Sequence, residues 1–156
     1  MRPILAKIFK NAEVSAIDID KNALKIAAIN NKNLSSNVKF EQKDILTDSL
    51  SEVYDIVVSN PPYVRISEKK LMKSNVLEFE PHLALFVTDE NPLIFYEKIA
   101  ILAQKSLTKN GLLFFEINQY LAQETKKLVE KIGFSNVEII KDFRNNDRIL
   151  KAVKLH

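Results

Sequence analysis

Apolar residues along this chain fall into short runs that alternate with stretches of helical spacing. Val14-Ser15-Ala16-Ile17 reads as a short strand, Val38-Lys39-Phe40 as a second, and Ile56 to Ser59 as a third. Between the first two, Asp20 or Asn22 caps a helix running to about Asn31, with Leu24, Ala27 and Ala28 on one face. Asn91-Pro92 places a cap and a proline at the start of another helix. That helix carries Phe95, Ile99, Leu102 and Ala103 and ends before Asn110-Gly111. Leu112 to Ile117 predicts a buried strand, followed by a helix from about Leu121 to Lys131. Gly133 stands where a left-handed helix stop is expected. Val137 to Ile140 and Ile149 to Val153 predict two final strands joined by the polar turn Arg144-Asn145-Asn146-Asp147. The segment from Arg65 to Asn75 is polar and lysine-rich and reads as a partly helical lid or loop. This alternation, closing in a hairpin, predicts an α/β fold whose sheet is mainly parallel with a C-terminal antiparallel hairpin.

Composition narrows the picture without changing it. A chain of 156 residues, 46% apolar and 28% charged, suits one soluble domain with its own core. No apolar stretch approaches a membrane span, and no signal-peptide pattern opens the chain. Cysteine is absent, which excludes thiolate metal sites and disulfides and fits a reducing, cytoplasmic setting. The two histidines, His82 and His156, form no metal-ligand spacing, so no metal is expected. The net charge of +3 is scattered. Lys69, Lys70 and Lys73, like Lys126, Lys127 and Lys131, read as solvated helix faces, which argues against direct nucleic-acid binding.

The sharpest chemical signal is Ser59-Asn60-Pro61-Pro62-Tyr63, directly behind the apolar run Asp55-Ile56-Val57-Val58. Two prolines stop a strand abruptly, because neither can donate to a ladder. Asn and Pro favour such turns on their own account. This turn, however, falls at the carboxyl end of a buried parallel strand, where open α/β sheets bind ligands. Asn60 offers an amide carbonyl and NH₂ group. Pro62 biases Pro61 toward an extended conformation, which fixes the direction of the Asn60 and Pro61 carbonyls. Tyr63 adds a flat aromatic face. Two acceptors and a ring suit a planar NH₂ group.

The chain resembles the class I, S-adenosylmethionine-dependent methyltransferases, and among them the protein-(glutamine-N5) methyltransferases that modify peptide-chain release factors. The resemblance runs through Asn11-Ala12-Glu13-Val14, Ile17-Asp18-Ile19-Asp20, Ala23-Leu24, Ala27, Asp44-Ile45-Leu46 and Asp55 to Val64. Glu80-Pro81-His82-Leu83-Ala84-Leu85-Phe86 is its most group-specific piece. It continues in Phe95-Tyr96, Gly111-Leu112-Leu113, Phe115-Glu116-Ile117, Gly133-Phe134 and Lys141-Asp142, and closes with Asn146-Asp147-Arg148. The resemblance implies a Rossmann-like methyltransferase sheet, S-adenosyl-L-methionine as cofactor and class I peptide chain release factors as partners. It implies that Asp18 accepts from the cofactor ribose hydroxyls and that Asp44 and Ile45 border the adenine, with Asn60 also on the cofactor side. Asn60, Pro61 and Tyr63 are then the catalytic residues. Pro62, Glu80 and Pro81 join them in shaping the substrate side of the pocket.

One departure stands out. Members of the family carry an Asp-x-Gly-x-Gly-Ser-Gly loop between the first strand and first helix, whereas Gly111 and Gly133 are the two glycines here. The opening, Pro3 to Lys10, resembles the end of the helix behind that loop. The resemblance thus implies a single partial catalytic domain over 1–156, lacking the first strand, the glycine-rich loop and the family's amino-terminal helical domain. Val87-Thr88-Asp89-Glu90-Asn91 stands where many members have a glycine-rich loop, and His82 where arginine is frequent. Two other readings fit the same turn. One is a nucleic-acid amino methyltransferase acting on adenine-N6 or guanine-N2, with Tyr63 stacking a flipped base. The other, from a different class, is a non-catalytic remnant.

Overall fold

A computed structural model describes residues 8, 11–71 and 85–156. Glu80, Pro81 and His82, Lys73, and the opening run Pro3–Lys10 apart from Ile8 lie outside the described residues. The chain divides into two compact units, Met1–Asp48 and Ser49–His156.

In the first unit β1 (Val14–Asp18) pairs in parallel with β2 (Val38–Gln42), with Asp18 opposite Gln42. The connection is α1 (Lys21–Asn33), a crossover of the kind parallel strands need. Of its two candidate caps, Asp20 is the one used: its carboxylate accepts from the Asn22 N–H at 2.8 Å. The predicted apolar face is only partly formed. Leu24 and Ala27 are half-buried, but Ala28 is exposed.

In the second unit the sheet order is β3-β6-β8-β7. β3 (Tyr54–Ser59) runs parallel to β6 (Leu107–Glu116), while β8 (Asp147–Val153) is antiparallel to both β6 and β7 (Ser135–Lys141). A small parallel pair joins β4 (Val64–Arg65) to β5 (Phe86–Val87). Of the five strand pairings among the described residues, three are parallel and the two made by β8 antiparallel, as the alternating pattern predicts. No helix among the described residues is long and apolar enough to cross a membrane.

Two elements depart from the sequence reading. The helix expected at Asn91-Pro92 is α2 (Ile94–Ser106), and Asn91 to Leu93 form the turn that leads into it. Asn91 serves through its backbone carbonyl, which accepts from the Ile94 N–H, so Pro92 is not the first helical residue. Of the residues read on this helix Phe95 is only half-buried, while its neighbour Tyr96 is fully buried. Finally, β6 begins at Leu107 rather than Leu112. The register jumps from Tyr54↔Leu107 to Ile56↔Leu112, so β6 bulges over the intervening residues. Asn110 takes the left-handed conformation there, with φ of 64°. Gly111 is needed for proximity instead: a Cβ on it would lie 2.8 Å from the Thr108 carbonyl oxygen. The chain's last residues clamp this bulge. Asn110 N–H donates to the Lys154 carbonyl at 2.7 Å, Lys154 N–H to the Gly111 carbonyl at 3.0 Å, and Lys154 Nζ to the Leu107 carbonyl at 2.7 Å.

The core of this unit is built from Leu113 and Phe115 of β6 and Ile117 just after it, with Leu150 and Ala152 of β8. Tyr96, Ala100 and Ala103 of α2 and Thr125 and Val129 of α3 (Ala122–Ile132) cover them. Each fully buried large apolar side chain contributes roughly 1.5–3 kcal/mol. Gly133 ends α3 with φ of 109°, the left-handed stop read from the sequence. The hairpin turn before β8 is held by Asp142, whose Oδ1 accepts from the Arg144 and Asn146 N–H groups.

Candidate active site

Each unit presents its chemistry at the carboxyl ends of parallel strands, the end at which open α/β sheets bind ligands. In the first unit Asp18 closes β1, and Oδ1 accepts from the Asp20 N–H at 3.1 Å. The Asp18 carbonyl accepts from Lys43 N–H at 3.1 Å, which brings the loop behind β2 against the end of β1. That loop carries Asp44 and Ile45, both half-buried. Asp44 is built into its own turn, with Oδ1 accepting from the Leu46 N–H and its N–H donating to Asp48. Asp18 and Asp44 are thus placed at one end of a two-stranded ladder, as the sequence reading requires. A carboxylate at a strand end can accept from the hydroxyls of a ribose, so acceptors of this kind fit a nucleoside-bearing cofactor.

In the second unit Ser59 pairs with Phe115, which sets Asn60 at the end of β3 beside Glu116 at the end of β6. Asn60 is exposed, and no hydrogen bond among the described residues engages its side chain; Pro61 is buried and Pro62 and Tyr63 half-buried. The turn is then anchored on its far side. Val64 N–H donates to the Leu85 carbonyl, and Asn118 Nδ2 donates to the Tyr63 carbonyl at 3.0 Å. The Tyr63 hydroxyl donates to Glu116 Oε1 at 2.9 Å. Arg148, at the start of β8, lies 3.9 Å from that same oxygen and 3.6 Å from Asp142. The Tyr63 phenol is pushed up to about 12, first by burial and then by the charge and hydrogen bond of Glu116, with Arg148 pulling the other way. Tyr96 donates to the Glu116 carbonyl and is likewise raised, chiefly by burial.

Four residues of this constellation escape the sequence reading. Glu116 and Arg148 sit within matching segments but receive no role there; Glu68 falls in the segment read as a lid, and Asn118 is passed over. Glu116 had a legible signal, a carboxylate ending a buried parallel strand. Glu68 is 9% exposed and lies in a 3-10 turn (Ile66–Leu71), the described part of the expected lid. It accepts from Arg65 N–H at 3.0 Å, from the Arg65 guanidinium at 2.8 Å and from Asn118 Nδ2 at 3.0 Å. The Ser67 hydroxyl donates to Asp89, tying the same turn to the loop behind β5. Burial alone would raise the Glu68 carboxyl, but these donors outweigh it and hold it below the ordinary range. A depressed carboxylate stabilises the fold above its unfolded value near ~4.3 and loses that contribution as pH falls through the lower folded value. Replacing Glu68 with Gln therefore lowers stability at pH 7 by about 2 kcal/mol, the worth of charge-assisted bonds in a buried site. It also flattens the acid limb below pH ~4, as urea titrations at pH 7 and pH 3 would register.

Tyr63, Glu68, Asn118, Gln119, Tyr120 and Arg148 line a cleft of about 200 Å³ beside the turn. Among the described residues no group of three or more His, Cys, Asp or Glu is placed to hold a metal ion.

An α/β fold with an Asn-Pro-Pro-Tyr turn at a strand end is the arrangement that the resemblance to the class I methyltransferases implies. A family model described as Methyltransferase small domain matches residues 3–83, and the chain belongs to that family. The chain is 51% identical over 149 residues to the release factor glutamine methyltransferase of Flavobacterium psychrophilum, covering 95% of this chain and 52% of that protein. It is 46% identical over 150 residues to the enzyme of the same name from Bacteroides thetaiotaomicron, covering 95% and 54%. The chain thus spans about half the length of the curated relatives it matches. Its fold is shared with a methyltransferase from Pyrococcus furiosus at a TM-score of 0.68 and 20% identity, over 98% of this chain and 68% of that one. The resemblance read from the motifs is borne out.

Proposed function

We propose that this chain is a catalytic segment of a protein-glutamine N5-methyltransferase. On this reading it moves a methyl group from S-adenosylmethionine to the glutamine of the Gly-Gly-Gln loop in class I peptide chain release factors, in the cytoplasm. The observation that carries the reading is the anchored turn: Asn60 stands open at the end of β3 while Tyr63 is tied down behind it. Similarity running through both units supports one partial catalytic domain over 1–156.

S-adenosylmethionine supplies an electrophilic sulfonium methyl group when bound. Asp18 would hold it at the ribose, with Asp44 and Ile45 beside the adenine. The substrate amide is a weak nucleophile, because its nitrogen lone pair is delocalised into the carbonyl. Asn60 Oδ1 and the Pro61 carbonyl accept its two N–H hydrogens, which orients the lone pair toward the sulfonium methyl and stabilises positive charge developing on nitrogen. Tyr63 supplies a face against which the planar amide lies, and Pro62 keeps the acceptors in fixed directions. Glu80 and Pro81 complete the substrate side of the pocket on this reading. Positioning carries most of the rate, and no general base is required, since the methylated nitrogen is strongly acidic.

The test is transfer of labelled methyl from S-adenosylmethionine by this chain to a release factor, alongside a factor whose Gly-Gly-Gln glutamine is replaced and a DNA duplex. Label on the intact factor alone is expected. Label on nucleic acid instead would establish the amino methyltransferase reading, and a folded chain that labels nothing would establish the remnant.

A further inference from the structure

We infer that Glu116, backed by Arg148, is a positioning residue that holds the Tyr63 ring in place by accepting its hydroxyl, so that Tyr63 serves the reaction through its face and not as an acid or base. The inference rests on the reading above for what Tyr63 does, but the lock itself is a matter of geometry.

Tyr63 is held at both ends. Asn118 Nδ2 takes its carbonyl at 3.0 Å, and Glu116 Oε1 takes its hydroxyl at 2.9 Å. A ring pinned only at its backbone can swing about its Cα–Cβ bond; a second pin at the hydroxyl, which lies on the Cβ–Cγ axis, stops that swing. The two pins come from one short stretch, since Glu116 ends β6 and Asn118 follows two residues later. Both are fixed in turn. Tyr96 donates to the Glu116 carbonyl at 2.9 Å, Ile117 N–H donates to the Arg148 carbonyl at 2.9 Å, and Asn118 Oδ1 accepts from the Tyr120 N–H at 2.9 Å. Arg148 lies 3.9 Å from the Glu116 oxygen that Tyr63 uses, and its Nε lies 3.6 Å from Asp142. The guanidinium thus stands beside the carboxylate oxygen that accepts the Tyr63 hydroxyl. With its only proton committed to a carboxylate, the Tyr63 hydroxyl has none to give a substrate. Its phenol is raised rather than lowered, the reverse of what a base at neutral pH requires.

Among the described residues, the charged groups that act on the Tyr63 hydroxyl are Glu116 and Arg148, and they act in opposite directions. The experiment follows the ring carbon of Tyr63 by NMR in tyrosine-labelled protein through an alkaline titration, assigned by Tyr63→Phe. In wild type it titrates at about 12. Glu116→Gln brings it down toward the ordinary phenol value near ~10, and Arg148→Gln moves it further up. The second readout is methyl transfer to a release factor. Glu116→Gln and Tyr63→Phe each reduce kcat about tenfold with the cofactor KM unchanged, and the double variant is no worse than either, because both break the same lock. An unmoved Tyr63 titration in Glu116→Gln, or losses that multiply in the double variant, would overturn the inference. Should Glu116→Gln not fold, Arg148→Gln decides, and a titration that stays put or falls counts against the lock. A wild-type chain that transfers no methyl sinks the functional reading only, and the titration still judges the lock.

Discussion

Asn60→Ala lowers the rate of methyl transfer by about a thousandfold and leaves the fold intact. The size follows from what is removed: a fixed acceptor aimed at charge that develops only in the transition state, a kind of group worth roughly two to three orders of magnitude elsewhere. On the proposed mechanism it is also one of the two acceptors that hold the nitrogen lone pair in line. The preservation of the fold follows from the structure. Asn60 is exposed, and its side chain makes no hydrogen bond among the described residues, so its loss leaves no buried group unpartnered. Stability should move by no more than about 0.5 kcal/mol, as for other exposed sites. Initial rates on a release factor, paired with urea unfolding of the same preparation, separate the two effects. A variant that keeps a tenth or more of the rate would show that Asn60 is a turn residue and nothing more.

Phe115→Ala has the largest effect expected on the fold. Phe115 is fully buried and meets Tyr96 edge to face, with ring centroids 5.2 Å apart and planes at 76°. Removing a phenyl ring from a closed core costs about 3–5 kcal/mol, and loss of the aromatic pair falls within that range. Against a total of roughly 5–15 kcal/mol for a domain, the variant is left marginal. The consequence reaches the site, because Phe115 is the register partner of Ser59, the residue before Asn60. Urea titration should show the midpoint fall sharply with an unchanged slope. A change below about 1 kcal/mol would mean that β6 does not pack as described.

What could be read in advance, and what could not, divides along a physical line. Features written in a few neighbouring residues were legible: the apolar runs of β1, β2 and β3, the Asp20 cap, the left-handed stop at Gly133 and the turn before β8. So was the Asn-Pro-Pro-Tyr turn, since prolines act on their own neighbours. Local signals misled where two of them competed. Thr108-Lys109-Asn110 looks like a helix end and is instead a bulge in β6, which only the pairing with β3 reveals. Asn91-Pro92 carries the right residues for a helix start, but its carbonyl rather than its side chain makes the bond. Contacts between distant residues left no trace in spacing. Tyr63 and Glu116 are 53 positions apart, and Asn118 and Glu68 are 50 apart. The residues that touch substrate on our reading were therefore visible beforehand, while those that hold them in place emerged only from the fold.

The bulge in β6 also bears on how this chain can be handled in the laboratory. A design trimmed to the last strand residue, Val153, would look harmless by secondary structure. It would discard Lys154, and with it the partners of the Leu107 carbonyl, the Asn110 N–H and the Gly111 carbonyl. An affinity tag is better carried beyond His156 on a short spacer than grafted in place of the final residues.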